Sequence, residues 1–223
     1  MKNTIYLTIL LTLLFSCSAK LSNKTFQNKG FDIPDSLFAL KNICNTDFID
    51  SIYLRNNQLF LDSTRKVKFT EVDSIFKRKI IYPVLINNHE FRKEYLDSFE
   101  QSFFISKQQK TGKYQPITLW TFGVDNYCLL LVMVDSALNP VSHIILNGNY
   151  GSAFIKIDDK HDYTNEYKHS KIKGDIITTC KISTFYNTNN SKEIYADSIV
   201  YKSEILKNGL INTQKTDSVR IKL

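Results

Sequence analysis

Tyr127-Cys-Leu-Leu-Leu-Val-Met-Val134 is an eight-residue run of apolar side chains broken only by the phenol of Tyr127. It is too short for a buried helix and continuously apolar, which is the pattern of a strand covered on both faces. It lies in a series. Ile117 to Phe122 precedes it, and Val141 to Leu146, Phe154 to Ile157, Asp175 to Tyr186, Glu193 to Leu206 and Ser218 to Leu223 follow. The separators are turn formers: Asp135 to Pro140, Asn147 to Gly151, Asn187 to Ser191 and Lys207-Asn-Gly209. Short connections between successive strands imply hairpins, and successive hairpins make an antiparallel meander.

Alternation assigns faces to some of these runs. Val219, Ile221 and Leu223 alternate with Ser218, Arg220 and Lys222, which predicts one buried and one wet face. Tyr195, Ile199, Tyr201 and Ile205 fall on one side of the long strand before it. In the N-terminal half, Ile52 to Leu61 reads as a hairpin turning at Asn56-Asn57, a pair that tolerates positive φ. A helix is predicted over Asn87 to Phe103: Phe91, Tyr95, Phe99 and Phe103 recur every four residues, and Asn87 with Glu90 forms a capping-box-like start. A second short helix is predicted over Thr70 to Lys79, with Val72, Ile75 and Phe76 on one side. The fold class expected is mainly β, an antiparallel meander of one or more sheets with one or two short helices, and α+β is the alternative.

The N-terminus sets the compartment. Lys2 is followed by Ile5 to Phe15, eleven residues interrupted only by Thr8 and Thr12, the build of a secretory signal. A spanning helix needs about 20 apolar residues to cross ~30 Å of hydrocarbon, so this run is too short. Leu14-Phe15-Ser16-Cys17 resembles the lipobox of bacterial lipoproteins, with a branched apolar residue three before the cysteine and a small one directly before it. The resemblance implies a diacylglycerol on the Cys17 thiol, cleavage after Ser16 and a further acyl chain on the freed amine. One chain binds a membrane only marginally, whereas two or more anchor stably. Ser18 is not the aspartate that marks inner-membrane retention in enteric bacteria, which favours the outer membrane. Residues 1–16 are then the signal peptide, 17–31 the lipidated cysteine with a polar tether, and 32–223 one mainly-β domain.

Removing residues 1–16 takes away Lys2 and no acid, which leaves 28 basic and 22 acidic residues and a balance of +6. The charges are interspersed and no run of five or six like charges occurs, so no nucleic-acid footprint is indicated. With Cys17 acylated, Cys44, Cys128 and Cys180 remain. An odd count allows one internal bridge at most, and Cys128–Cys180 is the pair to test. Their spacing does not suggest metal.

Signatures of catalysis are missing. There is no GxSxG, HExxH, P-loop or GxGxxG, and only seven glycines are present to build phosphate-cradling loops. Ser142 and His143 are strand neighbours pointing to opposite faces, so they cannot pair, and His143 fills a strand face beside Val141 and Ile145. Asp158, Asp159, His161 and Asp162, with His169 beyond, lack calcium-loop or zinc spacing and read as a solvated loop. The aromatic load, 15 Phe, 12 Tyr and one Trp, raises ligand stacking at Trp120, set against plain packing of strand faces. The sequence therefore points to a lipid-anchored envelope protein without cofactor, whose partners are the membrane and another envelope protein. A glycan or small-molecule binding module is the alternative, and a hydrolase with an unrecognised site the second.

Overall fold

The computed structural model describes residues 33–40, 43–46, 52–55, 58–61, 67–87, 101–122, 127–153, 161–187 and 193–222. The signal peptide, Cys17 and the tether lie outside them, as do the strand expected at Phe154 to Ile157 and the stretch 88–100. Two short strands, β1 (Ile52–Arg55) and β2 (Gln58–Leu61), form the expected hairpin, with Arg55 opposite Gln58 on either side of Asn56-Asn57. With β3 (Val67–Lys68) they make a small three-stranded sheet.

Nine strands make the main sheet: β4 (Thr70–Glu71), β5 (Gln101–Lys107), β6 (Gln115–Phe122), β7 (Tyr127–Val134), β8 (Pro140–Ala153), β9 (His161–Lys173), β10 (Ile176–Asn187), β11 (Glu193–Ile205) and β12 (Ile211–Lys222). Their spatial order is their chain order and every neighbouring pair is antiparallel, so the meander read from the turns is the architecture. The fold is mainly β.

The continuous hydrophobicity of β7 has a direct cause. Cys128, Leu130, Val132 and Val134 enter one core, while Leu129, Leu131 and Met133 enter another on the opposite face. The first core is covered by a helical segment that follows β4, with Leu37 of a 3-10 turn (Asp35–Leu37) and Phe38 beside it. Asp73 caps it by accepting the N–H groups of Ile75 and Phe76, both at 2.8 Å. The segment runs from α1 (Ser74–Phe76) through a π turn (Lys77–Ile81) into α2 (Tyr82–Asn87). Pro83 explains the π turn: its ring clashes with the carbonyl four residues back and it has no N–H to donate, and widening the preceding turn accommodates both. Ile80, Ile81, Val84 and Leu85 pack from this segment onto Phe104, Ile117, Leu119, Leu130 and Val132.

The second core is closed by the sheet itself. Ile177 of β10 and Ile205 of β11 share one core with Leu129 and Leu131 of β7, although their strands are three and four ladder steps away, a span of ~14–19 Å in a flat sheet. The sheet must coil to bring them together, and it is built to do so. Extra residues stand in the ladder at Ile105 in β5, at Leu146 and Val141 in β8 and at Thr216 in β12, and bulges of this kind raise local twist. The chain before the small sheet straps the coil, as Leu40 N–H donates to Ile105 O of β5 and Thr46 N–H to Ser170 O of β9, both at 3.0 Å.

Several expectations shift. The helix expected over Asn87 to Phe103 does not have those ends: Asn87 is itself helical, the last described residue of α2, and Phe103 is buried in β5. Positions 88–100 of that expectation are outside the described residues. Ser102-Phe-Phe-Ile105 is apolar on both faces, so strand burial overrides the four-residue recurrence. The helix placed at Thr70 starts at Ser74, because Thr70 and Glu71 pair with Phe104 and Phe103 as β4. Val72 is buried as expected, but Ile75 is 70% exposed. The segment from His161 to His169 is strand β9, not a loop. The alternating face of β12 is not buried, since Val219 and Ile221 are each 51% exposed at the edge of the sheet.

Candidate functional site

In a meander, alternate turns gather at one end, and three of them enclose a cleft of about 580 Å³. They are the β5–β6 turn around Gln108 to Gly112, the β9–β10 turn at Gly174-Asp175, and Lys207 after β11. Leu131, Ile172 and Ile205 form an apolar floor continuous with the second core, and the strap adds Ile43 and Cys44. The turns are locked together. Thr111 Oγ1 donates to Asp175 Oδ1 at 3.2 Å, and Ser142 Oγ of β8 donates to Gly209 O at 2.5 Å.

Two glycines make this closeness possible. Gly112 has φ +62° and a Cβ there would sit 2.9 Å from Lys207 O, while Gly209 has φ +81° and its Cβ would strike the Tyr114 ring at 2.7 Å. Both need the left-handed region and the missing side chain. The rim carries Lys110, Lys207 and Asp175, with Lys113 on the β5–β6 turn and Lys173 at the end of β9 nearby. Lys113 Nζ lies 5.5 Å from the centre of the Tyr114 ring, so part of this charge is engaged.

A different surface is left open at the far side of the sheet. β12 is the last strand in the order, twelve residues long, with every residue after Ile211 exposed. The opposite edge is β4, two residues long.

The residues singled out from sequence are scattered. Trp120 is 6% exposed in the second core and stacks on Tyr127 with ring centroids 4.9 Å apart, so it serves as packing and presents no platform for a ligand. Cys128 is fully buried on β7 and Cys180 half-buried on β10, and no disulfide joins them. Cys128 enters the first core, on the face of β7 opposite the one that shares the second core with Ile177 of β10, so the coil does not bring the two sulfurs together and the expected pairing is not formed. Cys180 Sγ instead lies 3.4 Å from Ser198 Oγ. Ser142 and His143 are adjacent on β8 and half-buried, and the Ser142 hydroxyl is spent on Gly209. His169 packs its ring against Tyr167 at 6.1 Å. Asp158 and Asp159, with the side chains of His161 and Asp162, are outside the described residues. Among the described residues no group of three His, Cys, Asp or Glu comes together, and no helix is long and apolar enough to cross a membrane.

Sequence reasoning missed the cleft. Its floor was legible as apolar strand residues, but its walls are turns from distant hairpins, and only the coil of the sheet brings them together. The comparisons place no known protein beside this arrangement: no family model, no curated protein and no solved structure matches the chain.

Proposed function

We propose that this protein is a lipid-anchored component of a bacterial cell envelope, held on the outer membrane through acylated Cys17, and that its folded body docks another envelope protein. The lipobox-like Leu14-Phe15-Ser16-Cys17 supports the anchor. The open edge of β12 carries the docking half of the reading. A twelve-residue edge presents ~40 Å of backbone with donors and acceptors facing outward, the template on which a further strand adds. Charged residues and the bulge at Thr216 interrupt that template midway. The segment from Asp217 to Lys222 keeps Val219 and Ile221 half-exposed on one face, with Lys222 and the Asp197-paired Arg220 on the other. An extended partner segment with apolar residues on one side and an acid facing Lys222 on the other fits it.

The test is photo-crosslinking in living cells, with the reactive amino acid placed at Val219 or Ile221 of the full chain and, as a control, at exposed Thr178 of β10. One partner captured reproducibly from the β12 positions and absent from Thr178 supports docking. Capture of nothing specific from β12 rejects it. Cys17→Ala is expected to leave the membrane fraction, and a variant that stays there overturns the anchor.

A further inference from the structure

We propose that the cleft between the turns binds a long-chain amphiphile: one alkyl tail on the apolar floor and one anionic head at the lysine rim. This is a second site, independent of the docking edge. Its volume of about 580 Å³ lies within the ~300–1,000 Å³ typical of small-molecule sites. The floor is the end of the second core: Ile172 is half-buried, and Leu131 and Ile205, 1% and 7% exposed, back it, so an alkyl tail lies against Ile172 with those core residues beneath. Burying an alkyl chain there takes apolar surface of the tail out of water, which favours binding in proportion to the length buried.

Charge selects the head. Across the three turns the basic residues are Lys110, Lys113 and Lys207 against one acid, Asp175, while Lys173 at the end of β9 and Glu204 of β11 flank Ile176 and offset one another. Of the two lysines that line the cleft itself, neither Lys110 nor Lys207 makes an ion pair among the described residues. Asp175 is turned to Thr111. A carboxylate or phosphate at the mouth meets two lysine ammonium groups while its tail lies inward. A neutral glycan would leave the apolar floor uncovered, and a cationic ligand would be repelled. The shape is pre-organised, because Gly112 lets its turn close on the Lys207 carbonyl and Gly209 lets the Tyr114 ring lie against the chain after β11. A pre-formed site avoids the cost of ordering loops on binding.

The experiment uses the full chain in phosphatidylcholine vesicles, exposed to a 16-carbon fatty acid carrying a diazirine near the tail end, with adducts mapped by mass spectrometry. Parallel arms use the corresponding fatty alcohol and a diazirine lysophosphatidylglycerol, which separates a free fatty acid from a phosphate-bearing lipid as source. The site requires adducts at 131 or within 43–44, 108–116, 172–175 and 205–207, from at least one of the two anionic probes. Lys110→Glu with Lys207→Glu is expected to lower that labelling about fivefold, the effect of losing and reversing two exposed charges. Alkylating exposed Cys44 with a bulky maleimide blocks the mouth without altering any core residue, and is expected to abolish labelling. Adducts only outside these segments overturn the site. Equal labelling by the alcohol, or by the double variant, overturns the anionic head. Unchanged labelling after Cys44 is blocked overturns the placement.

Discussion

Arg220 donates two hydrogen bonds to Asp197 across the last pair of strands, Nε to Oδ1 at 2.6 Å and Nη2 to Oδ2 at 2.7 Å. The two are register partners on β12 and β11, and the guanidinium lies 4.3 Å from the centre of the Tyr195 ring, which itself stacks on Phe185 of β10 at 4.3 Å. One side chain thus ties the exposed edge strand to the two strands inside it. An edge with little burial depends on such lateral contacts.

Arg220→Ala is accordingly expected to raise hydrogen exchange in β12 a few-fold while β7 amides stay unchanged. Arg220→Lys recovers only part of the loss, since an ammonium cannot make the paired bonds or stack. The hydrogen bond and charge of Arg220 hold the Asp197 carboxyl below its ordinary value of 3.8, against the opposing pull of burial. A depressed carboxyl contributes stability that is present above the unfolded-state value. The extra protection of β12 is therefore complete at neutral pH, starts to fall as pH approaches 3.8, and is gone once pH drops through the lower folded-state value. Exchange measured from pH 7 down to pH 3 in wild type and Asp197→Asn tests this. Equal pH profiles would remove the ion pair as the cause.

The β7–β8 turn is held by another aspartate. Asp135 accepts the N–H groups of Ala137 and Asn139, each at 2.8 Å, and the Asn139 amide at 3.0 Å. Burial raises its carboxyl, but the two Asn139 bonds, the Ala137 N–H and the nearby Lys79 charge outweigh it and the net shift is downward. The turn needs this support because Leu138 sits at φ +61° and is 6% exposed, its side chain set into the first core. Asp135→Ala is expected to cost about 1 kcal/mol in equilibrium unfolding. Leu138→Gly relieves the backbone yet removes a buried leucine, so it is expected to cost more than Asp135→Ala, by roughly 1–2 kcal/mol. Urea denaturation of the two variants gives the order.

How much of this was legible in the sequence varies by element and for physical reasons. β6 and β7 were legible because a strand buried on both faces has to be apolar throughout, and the hairpin at Asn56-Asn57 because its turn demands particular residues. β9 was not. His161 to Lys173 carries His, Asn, Glu, Lys and Ser with hardly any apolar alternation, since it is held by ladder hydrogen bonds and hydroxyl pairs more than by hydrophobic burial. β12 misled in the opposite direction: alternation shows that a strand has two unlike faces, but not that anything covers the apolar one. The cleft depends on turns some 30 to 100 residues apart meeting, which no local pattern encodes.

Those hydroxyl pairs recur at directly opposed positions: Ser102 with Thr121 at 3.0 Å, Ser170 with Thr179 at 2.8 Å and Ser203 with Thr213 at 2.8 Å. Ser170 is fully buried and also donates to Leu146 O at 2.6 Å, so it links β8, β9 and β10. Ser170→Ala strips a buried carbonyl and a buried threonine of a partner at once, with an expected cost of about 1–3 kcal/mol. Ser170→Ala combined with Thr179→Val removes the second unpaired hydroxyl, so the double variant is expected to cost less than the sum of the single ones. A double-mutant cycle in urea measures the coupling, and strict additivity would mean that the two hydroxyls do not act on one another.

The three thiols of the folded body differ in exposure, and that difference is a direct check on the coil. Cys44 is exposed at the mouth of the cleft, Cys180 is half-buried beside Ser198, and Cys128 is fully buried between Thr121 and Gly148 on the neighbouring strands. A maleimide added to the native protein is expected to modify Cys44 fast, Cys180 slowly, and Cys128 only after denaturant opens the sheet. Oxidation with diamide is expected to leave Cys128 and Cys180 unbridged, because the coil that joins β7 to β10 through their isoleucine and leucine side chains does not bring these two strands edge to edge. A Cys128–Cys180 peptide recovered by mass spectrometry from folded protein would mean that the strand order between β7 and β10 is wrong, and with it the cleft that the same coil creates.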